Sequence, residues 1–373
     1  MDSTPEVHNR EADASTEDLE ASIGSTLYSK QYVLDLLENE PSEEDLESLS
    51  EMACDDEVAM FLSREAKSFV LLSMLIKSNS TFRIKELAMV ILTNMMRVDF
   101  ESFRHEDMCI SVPSALLKQN LQENSDVYYL PSLVAILQYL TMFNDKVLED
   151  FDDENDKFEH NFELVPNVLI MIASTLDQDL LGKASRFLFS VVEVASMTSE
   201  PLDHIGMFFE TQPLQCLTEG IQQSLQFQES GKTAFILVET IANVFDFLDD
   251  ETVESEQSHQ MCEILVKYLN VEDLEISAVT SCAKICSRLW TTTCHLPSFE
   301  KVAKMFMEYQ NDDSNVDKVM LDVIQQCLKH FVNVHSQTLL SNSELLQSPT
   351  LGKFVQMLVT TQSASDNPTT TPT

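Results

Sequence analysis

Glycine is almost missing from this chain of 373 residues, which has only Gly24, Gly182, Gly206, Gly220, Gly231 and Gly352. The usual share is about 7%. Sheets with tight turns, phosphate-cradling loops and nucleophile elbows need glycine where other residues reach the backbone conformation only with strain. Its scarcity argues against those folds, whereas helices joined by polar loops can do without it. Basic residues are also few: 23 Lys and Arg face 62 Asp and Glu, for a formal net charge of −39. Counterion release from phosphates needs clustered Lys and Arg, so direct nucleic-acid binding is disfavoured, and anionic membrane surfaces are disfavoured for the same reason. No apolar run approaches the roughly 18 to 20 residues of a membrane span. Met1 to Glu20 is polar and acidic and lacks the apolar core of a secretion signal. The eight cysteines (Cys54, Cys109, Cys216, Cys262, Cys282, Cys286, Cys294 and Cys327) are therefore expected to be reduced, small hydrophobes of an intracellular protein.

What the chain does have is a recurring amphipathic helix. Six stretches of about 15 to 18 residues, beginning near Ile84, Leu130, Leu181, Ala234, Ile276 and Val316, return at intervals of roughly 42 to 54 residues. In the first, Ile84, Leu87, Ala88, Ile91, Leu92 and Met95 fall on one face of a helix, and Ala234, Leu237, Val238, Ile241, Val244, Phe245 and Leu248 do so in the fourth. Shorter helices are predicted between them, near Phe69 to Ile76, Leu116 to Leu121, Leu164 to Ile172, Leu214 to Leu225, Met261 to Leu269 and Phe299 to Met307. One apolar stripe cannot be hidden by a lone helix, so stacked pairs must bury it between neighbours. The expected fold is an all-α armadillo/HEAT-like helical-repeat solenoid, a superhelix. Residues 1–22 and 363–373 read as disordered tails, the first of them acidic, around a repeat domain spanning 23–362. A helix over about Tyr28 to Leu37 precedes an acidic stretch in which Pro41 stops the chain and Ser42, with Asp45 three residues later, forms a capping box.

Motifs that carry chemistry are incomplete. Gly231, Lys232 and Thr233 resemble the end of a phosphate loop, but Gln226 stands where the loop needs its first glycine. Asp152, Glu154, Asp156 and Glu163 take calcium-loop positions, yet Lys157 occupies the position that needs glycine. Cys282, Cys286, Cys294 and His295 are loosely spaced for a metal, but Cys282 and Cys286 lie one turn apart on an apolar face and read as core. His330 likewise reads as core beside Phe331. Met89, Met95, Met171, Met320 and Met357 fall on apolar stripes and read as gap-fillers. The single Trp290, with Cys294 four residues on, lacks the repeated Trp and Asn ladder by which armadillo adaptors hold nuclear import signals. No cofactor, metal or catalytic residue is expected.

Ile23-Gly24-Ser25-Thr26-Leu27-Tyr28-Ser29-Lys30, after an acidic tail, resembles a signature of the serum amyloid A-like proteins, an armadillo-type family distinct from serum amyloid A itself. Asp55 to Leu62, Arg83 to Leu87 with Ile91 to Met95, and Met108 to Val112 are similar to its following elements, in order, over roughly the first third of the chain. The resemblance implies an intracellular, mainly nuclear protein without enzymatic activity, associated with cell proliferation and inflammatory responses. Within the motif, Gly24 permits a turn, Ser25 or Thr26 is expected to cap the next helix, and Tyr28 offers an aromatic face with a polar tip. The motif, with Ser29 and Lys30, is read either as a structural plug on the first repeat or as a docking element.

The expected function is a non-catalytic scaffold or regulator of the nucleus and cytoplasm that holds basic or amphipathic segments of protein partners, steered by its charge. The alternative is an acidic chaperone-like shield for basic clients. Neither the partner nor the oligomeric state is legible.

Overall fold

The apolar spacing of Ile84 through Met95 does produce a helix, and most of it is buried: Lys85, Leu87, Ala88, Met89, Ile91, Leu92, Thr93, Met95 and Met96 are inside, while Arg83 and Arg97 reach solvent. A helix covered over most of its surface is the hub of its neighbourhood. A computed structural model of the chain describes residues 22–38, 41–78, 80–104, 108–122, 130–149, 162–197, 213–227, 230–246, 255–272, 274–311, 317–336 and 352. The expected tails over 1–22 and 363–373 lie outside these except for Ser22, as does the acidic loop except for Glu163. Among the described residues the chain is all-α, with a single isolated antiparallel bridge, Ser22 to Ser29. It falls into two compact units, residues 1–146 and 147–373.

The first unit contains α1 (Lys30–Glu38), α2 (Glu43–Met52), α3 (Asp56–Arg64), α4 (Ala66–Lys77), α5 (Phe82–Val98), α6 (Glu101–Arg104) and α7 (Met108–Gln122). The boundary falls inside α8 (Leu130–Glu149). Helices α2, α3 and α4 all pack on α5, while α1 lies against α2 and α4. Local chemistry sets the starts. Ser42 accepts from the Asp45 amide at 3.2 Å while Asp45 Oδ2 accepts from the Ser42 amide at 3.0 Å, so the expected capping box closes. Those bonds from Ser42 hold the Asp45 carboxyl below its ordinary pKa. Asp55 caps α3 through the Glu57 amide, and Thr81 caps α5 through the Ile84 amide.

The second unit repeats one pattern. Its helices are α9 (Val165–Ser174), α10 (Gln178–Met197), α11 (Pro213–Ser224), α12 (Ser230–Asp246), α13 (Ser255–Tyr268), α14 (Ile276–Leu289), α15 (Leu296–Asn311) and α16 (Lys318–Val334). Each odd-numbered helix packs on the next odd one, and α10, α12, α14 and α16 pack in sequence in the same way. Sequential partners such as α11 with α12 and α15 with α16 then join the two layers. Two helices per repeat in two layers is the HEAT form of the expected helical-repeat solenoid. The starts of the six long helices lie close to the predicted ones, Leu130 and Ile276 coinciding with them, but the helices expected from Leu116 and Met261 begin earlier, at Met108 and Ser255. The prediction of alternating long and short helices fails toward the end: α13 and α14 both have 14 residues, and α15 has 16.

Apolar burial holds the stack together. Leu181, Ala184, Leu188 and Val192 of α10 have no exposed surface, and a fully buried leucine contributes roughly 1.5–3 kcal/mol. At Gly220 α11 runs close to its neighbours, since a Cβ there would lie 2.4 Å from Ile172 Cγ2 of α9 and 3.2 Å from Leu237 Cδ1 of α12. Any side chain would wedge α9, α11 and α12 apart.

Candidate functional site

The motif at 23–30 folds into a tight loop before α1. Ile23 donates its amide to the Tyr28 carbonyl, and Thr26 donates its amide to the Ile23 carbonyl, both at 2.9 Å. Gly24 turns the chain at φ 52°, a left-handed conformation that side chains reach only at a cost. The Thr26 hydroxyl tightens the turn by donating to the Ile23 carbonyl at 2.7 Å. Gly24 thus permits the turn as expected.

The capping expectation is corrected. Neither Ser25 nor Thr26 caps α1; Ser29 does, accepting the Tyr32 amide on its hydroxyl and the Val33 amide on its carbonyl, both at 3.2 Å. Ser25 is used elsewhere, donating its amide at 2.7 Å and its hydroxyl at 2.8 Å to Glu57 Oε2 in the first turn of α3. A Cβ on Gly24 would stand 2.6 Å from the same carboxyl carbon, so Gly24 serves the contact as well as the turn. The motif at 23–30 and the one at 55–62 are therefore two halves of one lock. The acidic run Asp55-Asp56-Glu57 was the only signal in sequence, and it does not say which serine it meets.

The same end of the molecule is tied further by charge. Arg83 bridges Glu47 at 2.8 Å and Glu86 at 2.7 Å, and Arg97 meets Asp56 at 2.7 Å while donating to the Cys54 carbonyl. All are solvated pairs, each worth little alone. The loop's tip is different in character. Leu27 is wholly exposed, and Tyr28, Tyr32 and Lys30 also face solvent, whereas Ile23 is buried.

The other candidates separate. Cys282 and Cys286 are fully buried free thiols, as the core reading requires, and a hydrogen bond joins Cys286 to Cys262. Burial pushes the Cys282 thiol above its ordinary pKa; the bond to Cys262 and burial do the same for Cys286. Thiols kept protonated are poor nucleophiles and poor ligands. Cys294 is exposed and stands apart from them in environment. His295 begins α15, its Nδ1 accepting the Ser298 amide at 3.2 Å. Its ring meets His259 edge-on with centroids 4.9 Å apart, and His259 stands 3.7 Å from Glu263. These three bring possible ligand atoms within 4.8 Å of one another. However, the capping role occupies the Nδ1 lone pair and puts the proton of the neutral ring on Nε2, so a cation would have to break the cap. Burial, then the charge of His259, holds the His295 pKa below its ordinary value.

Trp290 lies in the core, donating from Nε1 to Ser298 Oγ at 2.9 Å and packing edge-on against Phe331. It is not a surface clamp. Met89, Met95 and Met171 are buried as gap-fillers, Met320 is half-buried, and Met357 lies outside the described residues. His330 is only half-buried beside the fully buried Phe331. Lys232 is exposed in the first turn of α12. Among the described residues, no helix is long and apolar enough to cross a membrane.

No family model and no curated protein matches the chain. Among solved structures, an engineered protein from a structural genomics consortium is similar at 11% identity over 88% of this chain and 97% of its own, with a TM-score of 0.32. That likeness is too loose to carry an argument.

Proposed function

We propose that this protein is a non-catalytic interaction scaffold or regulator that holds a basic or amphipathic segment of another protein. The observation that supports it is the row α10, α12, α14 and α16, packed side by side in a chain of net charge −39. Repeated helices in one layer present a long surface, and an acid surplus of this size attracts and orients a cationic polypeptide. The resemblance to serum amyloid A-like proteins adds a place of action, nucleus and cytoplasm, and a link to proliferation and inflammatory responses. No reaction is assigned: the thiols of Cys282 and Cys286 are buried and held protonated.

A pull-down from nuclear extract under a salt titration tests the reading. Retained partners should be enriched in Lys/Arg-rich segments and should fall away as salt screens the attraction. Partners held equally at low and high salt, without basic bias, would overturn it. The shield alternative rests on the acidic composition of residues 1–22, and deletion of those residues separates the two: a shield loses its clients, a surface reader keeps them.

A further inference from the structure

In the second unit a pocket of about 280 Å³ opens where α12, the end of α13 and the start of α14 meet. It is below the roughly 300–1,000 Å³ typical of small-molecule sites and suits one side chain. Phe235, Val271, Leu274 and Ala278 supply apolar wall. Tyr268 also lines it and has no exposed surface; its hydroxyl makes no hydrogen bond among the described residues and is closed to an incoming group, so the ring serves as apolar floor.

The charged groups of the pocket are Glu272, Glu275 and Lys232. All three are exposed, and none of their side chains has an ion pair or hydrogen bond among the described residues. Glu275 occupies the N-cap position of α14, yet its carboxylate caps nothing. Burial first, then the charges of Cys282, Glu239 and Glu275, push the Tyr268 pKa up. The Tyr309 hydroxyl holds the rim by donating to the Leu274 carbonyl.

We infer that this pocket receives an arginine side chain from a basic segment of a partner protein, with its stem along Phe235 and Leu274 and its guanidinium between Glu272 and Glu275. The inference rests on the basic-segment reading above and names the place where that segment is gripped. Apolar walls match the methylene stem, and two carboxylates accept the fork of donors. An anion would be favoured by Lys232 and the start of α12 but opposed by Glu272, Glu275 and the nearby Glu239. Lys232 thus acts against the ligand, which gives the site a signature: removing a lysine from an acidic protein should strengthen binding.

The probe is a fluorescein-labelled twelve-residue peptide of Gly and Ser with three lysines around one arginine, and its counterpart with citrulline in place of arginine. Peptide is titrated by anisotropy against the full chain, and the amide resonances of Gly231, Lys232 and Ala278 are followed by NMR. Citrulline, or the double change Glu272→Gln with Glu275→Gln, should each weaken binding about tenfold, the scale of a lost charged hydrogen bond. Lys232→Ala should tighten it about threefold. The carboxylate and lysine changes are at exposed positions, so unchanged circular dichroism is expected. Equal binding of the arginine and citrulline peptides, unmoved resonances at saturation, or the opposite signs for the lysine and carboxylate variants would overturn the inference. If wild type and the double Gln variant bind the arginine peptide equally, the pocket falls while the basic-segment reading survives. If wild type binds neither peptide at low salt, that reading falls with it.

Discussion

Gly24→Ala tests the lock between the two N-terminal motifs, and its cost can be assembled from geometry. An alanine at φ 52° stays in the left-handed region at a cost of about 1–2 kcal/mol. Its methyl would also meet the Glu57 carboxyl carbon at 2.6 Å and both oxygens within 2.8 Å, so the carboxylate must swing away. Swinging releases the Ser25 amide and hydroxyl, two solvated bonds worth together about 1 kcal/mol. The sum, about 2–3 kcal/mol, should raise the opening of the loop roughly 30- to 150-fold. The global loss is capped by what the loop itself contributes, chiefly the burial of Ile23, about 2 kcal/mol. Hydrogen exchange at the Ile23 and Thr26 amides, which bond the Tyr28 and Ile23 carbonyls, reads the local opening directly. The same change in a Glu57→Ala background should cost less by about 1 kcal/mol, because the clash and the bonds are already gone. Wild-type exchange rates in Gly24→Ala, or an identical penalty in both backgrounds, would refute the reasoning.

Other outcomes follow from the second unit. Gly220→Ala gains about 1 kcal/mol of helix propensity but drives a methyl against Ile172 and Leu237, so a net loss of about 1–2 kcal/mol is expected in denaturation followed by Trp290 fluorescence. In the native protein Cys54 and Cys294 should react with a thiol reagent, while Cys262, Cys282 and Cys286 stay silent until unfolding. Burial raises the Cys327 thiol from 9.0 to about 11, so the folded state holds a proton that the unfolded state releases. Stability is therefore full below about pH 9 and is lost as pH rises toward 11, by about 3 kcal/mol from this group. His295 runs the other way: its lowered pKa makes the unfolded chain the better proton acceptor, so stability is full above the ordinary imidazole value of 6.5 and falls in more acid solution. An acid limb unaffected by His295→Gln would contradict this.

The periodic part of the fold was legible because burial forces it. Ile84 through Met95 could hide only as a buried helix, and Ser42 with Asp45 could cap only the helix that follows. What the sequence did not disclose depends on contacts between segments far apart in the chain. Nothing local tells that Ser25 meets Glu57, 32 residues on, rather than capping α1. The His259, Glu263 and His295 cluster was half visible: His259 and Glu263 share a helix face, but His295 reaches them only through the packing of α13 on α15. The pocket at Tyr268 was hidden for a further reason. Its residues come from three helices and a loop, and Gly231-Lys232, which drew notice as a failed phosphate motif, lines it for an unrelated cause. The equal lengths of α13 and α14 were also missed, since apolar stripes fix a helix's face more firmly than its ends.

Plug and docking element, posed as rivals for residues 23–30, make demands on different side chains. A plug needs the buried Ile23, the turn at Gly24 and the Ser25 contact to Glu57; it has no use for a leucine at the tip. Leu27 touches water over its entire surface, so it adds nothing to stability through burial. Leu27→Ser should leave the denaturation midpoint unchanged within about 0.5 kcal/mol, whereas Ile23→Ser should cost about 2 kcal/mol and open the loop. If the loop only plugs the first unit, partner retention in the pull-down will follow stability, falling with Ile23→Ser and indifferent to Leu27→Ser. If it also docks, Leu27→Ser will lose partners while the fold is intact. A stability loss at Leu27 comparable to that at Ile23 would show instead that the tip is packed in solution, and the division of labour within the loop would be wrong.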